Sequence, residues 1–203
     1  AGSVRSRSSA VPVRSIAASS IDISESLDNT FHAFSFELAD PADLPWLLPD
    51  AGGPIMVRIV LNGHVYTGIV EEWDATQVFP SRAISVRGSA IGKLLDAPYA
   101  PLRSYVETED RLAQQLIDHE LEYTGFDADY ATIDWAVPAG AWAYTALSPA
   151  AAVRTVAAAS GAVARSHPWR QRIEVLPRYP ISPWDWSTTP ADKTVLDDFV
   201  PRY

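Results

Sequence analysis

The sequence predicts a β-rich α+β protein, and three observations lead to this prediction. The dipeptide Asn62-Gly63 separates two β-branched runs, which is the strongest short-range signal of a β-hairpin. Residues 82–88 alternate apolar and polar side chains, as a half-buried strand does. Residues 112–121 place leucine and isoleucine at helical spacing. We therefore expect a small antiparallel β-barrel followed by an α+β region with two helices packed on a short sheet.

Composition limits the classes of protein that fit. The chain has 203 residues, of which 47% are hydrophobic and 20% charged, a globular composition. It contains no cysteine, so it forms neither a disulfide nor a thiolate site. A net charge of -9 argues against a chain-wide surface for nucleic acid or anionic lipid. No apolar stretch approaches the roughly 20 residues of a membrane span, so we expect no membrane partner. Because Met56 is the only methionine, we expect a portion or processed form of a longer chain.

The first region of the chain should form the barrel. Residues 1–14 are rich in serine and arginine without periodicity, and we interpret them as a flexible linker. In residues 15–98 the hairpin and strand above are joined by two further alternating runs, residues 21–24 and 34–39. Residues 40–54 carry prolines and a Gly-Gly pair and should form a loop. A short helical turn is expected over residues 89–95.

The second region, residues 99–178, should form the α+β unit. Thr108 is the predicted N-cap of a first helix that runs towards Gly125. Ser148 and Pro149 should begin a second helix, which Gly161 is positioned to end. Short strands are predicted over residues 142–146 and 172–176. Residues 179–203 are an extended tail rich in proline and tryptophan.

The residues that could carry chemistry form no recognisable catalytic or metal-binding pattern. The four histidines are far apart, and no phosphate-binding loop or nucleophile elbow occurs. The acidic stretch around His119, residues 118–120, is expected to be a solvated helix face. Glu71 and Glu72 are adjacent on a strand and should point to opposite faces. We therefore predict no catalytic residue, cofactor or metal, and no enzymatic activity.

Tryptophan is the remaining unusual feature. The chain has 7 Trp residues, and two of them lie in the Pro-rich segment 182–186. A segment that cannot form its own core must dock on its own domain or on a partner, and Trp commonly anchors such contacts. The residues proposed for an interface are Trp142, Arg178, Tyr179, Trp184 and Trp186.

Several stretches, taken in order, resemble a known family. VRIVLNGHVYTGIVEEWD (57–74), followed by ISVRGSAIGKLLDAP (84–98), is similar to the first barrel of the baseplate hub, or tail tip hub, proteins of Mu-like and other long-tailed bacteriophages. Three later stretches resemble the hub region that follows this barrel: TEDRLAQQLIDHELEYTGF (108–126), WAVPAGAWAYTALSPAAAVRTVAAASGAV (135–163) and RIEVLPRYPISPWDW (172–186). The resemblance runs from about residue 13 to residue 186.

The resemblance implies a structural protein of the virion. Three hub copies form a ring, and each contributes two tube-like barrels, so that a pseudo-sixfold face meets the tail tube. The implied partners are further copies of the chain, the tail tube or distal tail protein, the tape-measure protein, and a central spike or fibre. The expected location is the phage tail tip, assembled in the bacterial cytoplasm. DNA would pass through the lumen without specific binding, and an acidic chain suits this because it repels phosphates.

Two other functions remain open at this point. A carbohydrate-binding module would use Trp142, Trp184 or Trp186 as stacking platforms. A cell-wall-degrading enzyme would use acidic residues such as Glu107, Glu109 or Asp110, and its activity would fall when one of these carboxylates is removed.

Overall fold

The computed structural model describes residues 14–49, 53–78, 81–181, 183–185 and 187–190. The predicted fold class is confirmed, because a curled antiparallel sheet is followed by helices packed on short sheets. No helix in these ranges is both long and apolar enough to cross a membrane. The predicted tail includes one short 3-10 turn, Pro183–Asp185.

The first unit is a five-stranded antiparallel sheet with the strand order β1-β2-β5-β4-β3. Its strands are β1 (Ala18–Ser24), β2 (Ala33–Leu38), β3 (Met56–Leu61), β4 (His64–Val78) and β5 (Ser81–Ala90). The sheet curls into a half-barrel, and β1 and β3 form its two edges. Its concave side holds the first core, which includes Phe34, Phe36, Ile59, Ile84 and Val86. The predicted loop contains a 3-10 turn, Pro41–Leu47, and this turn covers the core with the buried Leu47.

The predicted hairpin joins β3 to β4. Leu61 is paired with His64, and the two residues between them have positive φ angles of 51° at Asn62 and 83° at Gly63. Positive φ at both positions is the requirement of a type I′ turn, which explains why Asn-Gly fits here. This turn fixes which residues of β3 face the concave side.

A phenylalanine packed over two glycines fills the middle of the sheet. A Cβ atom built on Gly88 would lie 2.4 Å from the Phe34 ring and 2.1 Å from the carbonyl oxygen of Ile69. A Cβ built on Gly68 would lie 2.4 Å from the same ring. The ring therefore occupies the space that side chains would take on β4 and β5, and glycine is required at both positions.

The second unit contains two helices and three small sheets. Its elements are β6 (Arg103–Val106), β7 (Arg111–Leu112), α1 (Ala113–Leu121), β8 (Asp127–Tyr130), β9 (Ala136–Val137), β10 (Ala143–Leu147), α2 (Pro149–Ala159), β11 (Ala162–Ser166) and β12 (Arg172–Pro177). Strands β11, β12 and β8 form one sheet, in which β12 and β8 are parallel. Strands β6 and β10 form a two-stranded ribbon, and β7 pairs with β9.

The second helix begins and ends where the sequence predicts. The Ser148 hydroxyl accepts a hydrogen bond from the Ala151 amide at 3.2 Å, Pro149 occupies the first turn, and Gly161 has a φ of 71° just past the end. The buried face of α2 is made of small residues, among them Ala152 and Ala157, and it packs against α1 and β11. Small side chains allow this close approach.

The predicted start of α1 at Thr108 is wrong. Arg111 and Leu112 form β7, and the helix begins at Ala113. The Gln115 side chain accepts from the Leu112 amide at 2.9 Å, and Asp134, which lies in the loop after β8, accepts through Oδ1 from the Gln114 amide at 3.1 Å. The Thr108 amide is instead bound by the Glu107 carboxylate at 2.8 Å. The Asp134 contact comes from 20 residues away and leaves no local sequence signal.

The division of the chain at residues 14, 98 and 178 remains a prediction. Residues 1–13 lie outside the described residues, whereas Arg14 donates to Asp43 at 2.7 Å and lies 4.9 Å from the centroid of the Trp46 ring. Near the middle boundary, a 3-10 turn at Ile91–Leu95 places Ile91 and Leu95 in the second core, which is built around α1, α2 and β12.

Replacing Gly88 by alanine should reduce the free energy of unfolding by about 2–3 kcal/mol, because the added methyl group would overlap the Phe34 ring and the Ile69 carbonyl. Urea unfolding followed by circular dichroism measures the change. Gly140→Ala is the control: its φ is +77° but nothing lies within 4 Å, so it should lose only about 1 kcal/mol from backbone strain. Equal losses at the two positions would contradict the packing argument.

Replacing Asp134 by alanine should lower stability by about 1 kcal/mol, because the Gln114 amide at the start of α1 would lose its acceptor. Asp134→Asn keeps a side-chain oxygen and should recover most of this loss. Chemical unfolding of the two variants beside the parent protein makes the comparison. If asparagine is as damaging as alanine, the oxygen at Asp134 is not acting as a cap.

Candidate assembly surface

The five residues proposed for an interface do not form one patch. Trp142 is half-buried against the second core, and its ring centroid lies 5.4 Å from that of Tyr144. Its indole Nε1 is buried and has no hydrogen-bond partner in the described part of the chain. Tyr179 and Trp184 are exposed by 66% and 80% and are accessible to a partner. Trp186 lies outside the described residues.

Arg178 makes one of the contacts between the two units. Its guanidinium donates to the Asp28 carboxylate, in the loop between β1 and β2, at 2.6 Å. The hydrogen bond to Asp28 raises the pKa of Arg178. Arg178 therefore makes a contact within the chain, whereas the role in an external interface remains a prediction.

The same loop and strand β4 make further contacts with the second unit. The Ser166 amide on β11 donates to the Thr30 carbonyl at 2.7 Å, and Arg165 forms an ion pair with Glu25. The Thr67 amide on β4 donates to the Pro168 carbonyl at 2.7 Å. We call this set of contacts the joint. Each contact links residues far apart in sequence, so no local pattern indicates it.

Two buried carboxylates attach the ribbon of β6 and β10 to the rest of the second unit. Glu107 accepts hydrogen bonds from the Tyr105 hydroxyl at 2.9 Å and from the Glu109 amide at 3.0 Å. The hydrogen bond from the Glu109 amide is the main reason why the pKa of Glu107 is lowered. Glu120, on α1, accepts from the Tyr144 hydroxyl at 2.7 Å, and burial and this bond raise the pKa of Tyr144. The prediction that residues 118–120 form a solvated face is therefore wrong for Glu120.

The acidic residues proposed for a hydrolase have structural contacts. Glu109 forms an ion pair with Arg111 at 2.9 Å, and the same arginine approaches Glu107 at 3.3 Å. The Asp110 carboxylate accepts from the Ala139 amide at 2.8 Å. These bonds order the segment between β6 and β7. Among the described residues, no group of three or more histidine, aspartate or glutamate side chains could hold a metal ion.

The convex side of the curled sheet carries an open groove of about 560 Å³, lined mainly by polar residues of β1, β2, β4 and β5. Glu71 and Glu72 both line it, contrary to the prediction that they point to opposite faces. The reason is an irregularity in the pairing of β4 with β5 between Val70 and Glu72, which places an extra residue on β4. Glu72 pairs with Arg87 at 3.1 Å, and Glu71 accepts from the Ser89 hydroxyl.

The free edges of the sheet are the clearest surfaces on which a partner could add. Within the described ranges, β1 and β3 each pair on one side only. Met56 and Val60 on β3 are exposed by 61% and 60%. An exposed apolar edge strand is a site where another chain can add a strand.

Comparison with known proteins gives structural neighbours but no sequence match. Neither the scan against protein-family models nor the search of curated proteins finds a match. Among solved structures, a tail protein from Neisseria meningitidis MC58 aligns with a TM-score of 0.56, 14% identity and coverage of 76% of this chain and 44% of that chain. The 43 kDa tail protein of prophage MuSo2 from Shewanella oneidensis aligns with a TM-score of 0.51, 16% identity and coverage of 77% and 47%.

A third similar structure comes from another bacterium. The prophage tail protein gp18 from Listeria monocytogenes EGD-e aligns with a TM-score of 0.50, 11% identity and coverage of 74% of this chain and 42% of that chain. The chain has the fold of phage tail proteins. It spans less than half the length of these three structures. At this identity the likeness concerns the fold alone.

Acid should weaken the folded state through His32, which lies beside the joint. The ring is buried, its Nε2 has no hydrogen-bond partner in the described ranges, and burial lowers its pKa from 6.5. Below about pH 6.5 the unfolded chain therefore binds a proton that the folded chain does not, so the folded state becomes less stable as the pH is lowered. The free energy of unfolding falls by about 1.4 kcal/mol for each tenfold difference in the proton affinity of His32 between the unfolded and the folded chain.

Urea unfolding at intervals between pH 7.5 and 5 measures this loss. His32→Phe removes the titrating group but retains a ring against Tyr66, whose centroid lies 5.4 Å away. As the pH is lowered, the free energy of unfolding of the variant should decline less steeply than that of the parent protein. The other three histidines act as an internal control because they remain in both proteins. An identical decline in the two proteins would exclude His32 as the cause.

Proposed function

We propose that this protein is a structural subunit of a phage tail, placed in the hub at the baseplate or tail tip. The observation that supports the proposal is the fold: about three quarters of the chain aligns with tail proteins from three bacteria. In this role the protein is not an enzyme, needs no cofactor and acts by assembly. It would be made in the bacterial cytoplasm and become part of the virion.

The proposed assembly is a ring of three copies that joins the tail tube to a central spike or fibre. The unpaired edges of the five-stranded sheet support it, because a ring supplies each edge with a neighbour. The partners are other copies of the chain, the tail tube or distal tail protein, and the tape-measure protein. A pseudo-sixfold face needs two tube-like sheets in each subunit, and the described residues hold one. The proposal therefore concerns the threefold ring.

The charge of the protein is compatible with a tail channel that DNA crosses without being retained. The net charge is -9, and Glu71, Glu72 and Asp74 lie on the convex side of the sheet with Arg87. Carboxylates repel phosphates and release no counterions on contact with DNA, so binding has no electrostatic driving force.

The exposure of Trp184 supports the alternative function, a carbohydrate-binding module. An indole exposed by 80% offers a face for a sugar ring, whereas Trp142 is half-buried against the second core. This alternative requires no assembly. The two functions therefore differ in the mass of the protein in solution.

Light scattering over a concentration series should give a mass that rises to three times 22.1 kDa, and electron microscopy of the same sample should show rings. A mass that stays at 22.1 kDa at all concentrations would contradict the ring. Titration with a glycan panel then tests the alternative: a change in Trp fluorescence that is lost in Trp184→Ala would identify a sugar-binding module.

A further inference from the structure

The two edges of the five-stranded sheet differ in how they are protected. Strand β1 has an irregular pairing with β2 between Ala18 and Ser20, and its convex side chains are polar. Strand β3 pairs with β4 without a break, contains no proline or lysine, and exposes Met56 and Val60. Bulges, proline and charged side chains are the usual means of preventing strand addition. The edge of β3 has only the exposed Arg58, and the irregularity of β1 lies at its start, so Ile21 to Ser24 pair regularly with β2.

The hairpin shows which backbone groups of β3 are free. Residues that flank a two-residue hairpin turn form a hydrogen-bonded pair, and such pairs alternate along the strands. Leu61 and His64 are that pair, and the Val70 amide donates to the Ile55 carbonyl at 2.9 Å in the same alternation. Met56, Arg58 and Val60 therefore direct their N–H and C=O groups away from β4, towards the free edge.

Strand direction decides how two copies can join. Every neighbouring pair in the sheet is antiparallel, and there are five strands, so β1 and β3 run in the same direction. In a ring whose axis lies along the strands, the β1 of one copy would therefore meet the β3 of the next copy in parallel. Such head-to-tail contacts close into a ring if the rotation is suitable.

Charge favours contact between β3 and β1 over contact between two β3 strands or between two β1 strands. Arg58 lies on the convex side of β3, since its neighbours Val57 and Ile59 face the core, and Asp22 lies on the convex side of β1 opposite Ser35. Within the described part of the chain neither residue has an ion-pair partner, and both are exposed. Contact between two β3 strands would bring arginine near arginine, and contact between two β1 strands would bring aspartate near aspartate.

We propose that the β3 edge of one copy binds the β1 edge of a second copy in parallel, with Arg58 beside Asp22. The inference rests on the proposed ring and names its interface. The exposed side chains of Met56 and Val60 then pack beside the serines of the neighbouring β1, and the sheet continues from one subunit to the next.

A charge swap tests the pair. Arg58→Glu and Asp22→Arg should each raise the concentration needed for assembly, roughly fivefold, because each places like charges together. The double variant restores the opposite charges in exchanged positions and should assemble nearly as the parent protein does. Arg154→Glu, on the exposed side of α2, makes the same charge change away from the edges and should leave assembly unchanged.

Disulfide cross-linking tests the geometry of this contact. Because the chain has no cysteine of its own, only the introduced cysteines can form a disulfide. The variant with both Arg58→Cys and Asp22→Cys should form disulfide-linked trimers under mild oxidation, whereas a variant with either change alone should remain uncross-linked. Linked dimers of the Arg58→Cys variant would overturn the inference in favour of contact between two β3 strands.

The outcomes separate the interface from the ring. If the parent protein assembles but neither charge reversal weakens it, this interface is wrong and the proposed ring stands. If the parent protein stays monomeric at every concentration, the ring fails and the interface fails with it. If the reversals weaken assembly, the double variant restores it and only the double-cysteine variant cross-links, the interface is established.

Discussion

The structure depends on how an open, curled sheet buries the apolar side chains of its concave side away from water. A closed barrel buries its interior by pairing its last strand with its first, but here β1 and β3 are not paired with each other in the described ranges. The 3-10 turn before β3 covers the core with Leu47 instead, and the Phe34 ring fills the space over Gly68 and Gly88. Burial of apolar surface thus holds the curl, while the edges remain available.

The second unit is connected to this sheet through the loop between β1 and β2 and through β4. Hydrogen bonds from Ser166 to Thr30 and from Thr67 to Pro168 cross the joint, and two ion pairs surround them. His32 lies beside these contacts as a buried ring with an unpaired nitrogen. The two units therefore share one interface in which Thr30, His32 and Ser166 are buried and the two ion pairs are more exposed.

Sequence reasoning succeeds where the signal is local. Asn62-Gly63 fixes a turn by its own backbone preference, and Ser148-Pro149 with Gly161 marks both ends of α2. It fails where a distant residue decides the structure. Asp134 caps α1 in place of Thr108, Tyr144 draws Glu120 into the interior, and an extra residue in β4 turns Glu71 and Glu72 to one side. Of the proposed interface residues, Tyr179 and Trp184 are exposed as a docking site requires, while Arg178 pairs with Asp28 through a contact that its neighbours in sequence do not indicate.

The joint also determines how the molecule responds to mechanical tension. A pull that separates the sheet from the helical unit acts on the Ser166–Thr30 and Thr67–Pro168 bonds together with the ion pairs of Arg165 and Arg178. Because these contacts come from different strands and loops, such a pull acts on several of them at once, and no single loop can move to release the sheet from the helical unit.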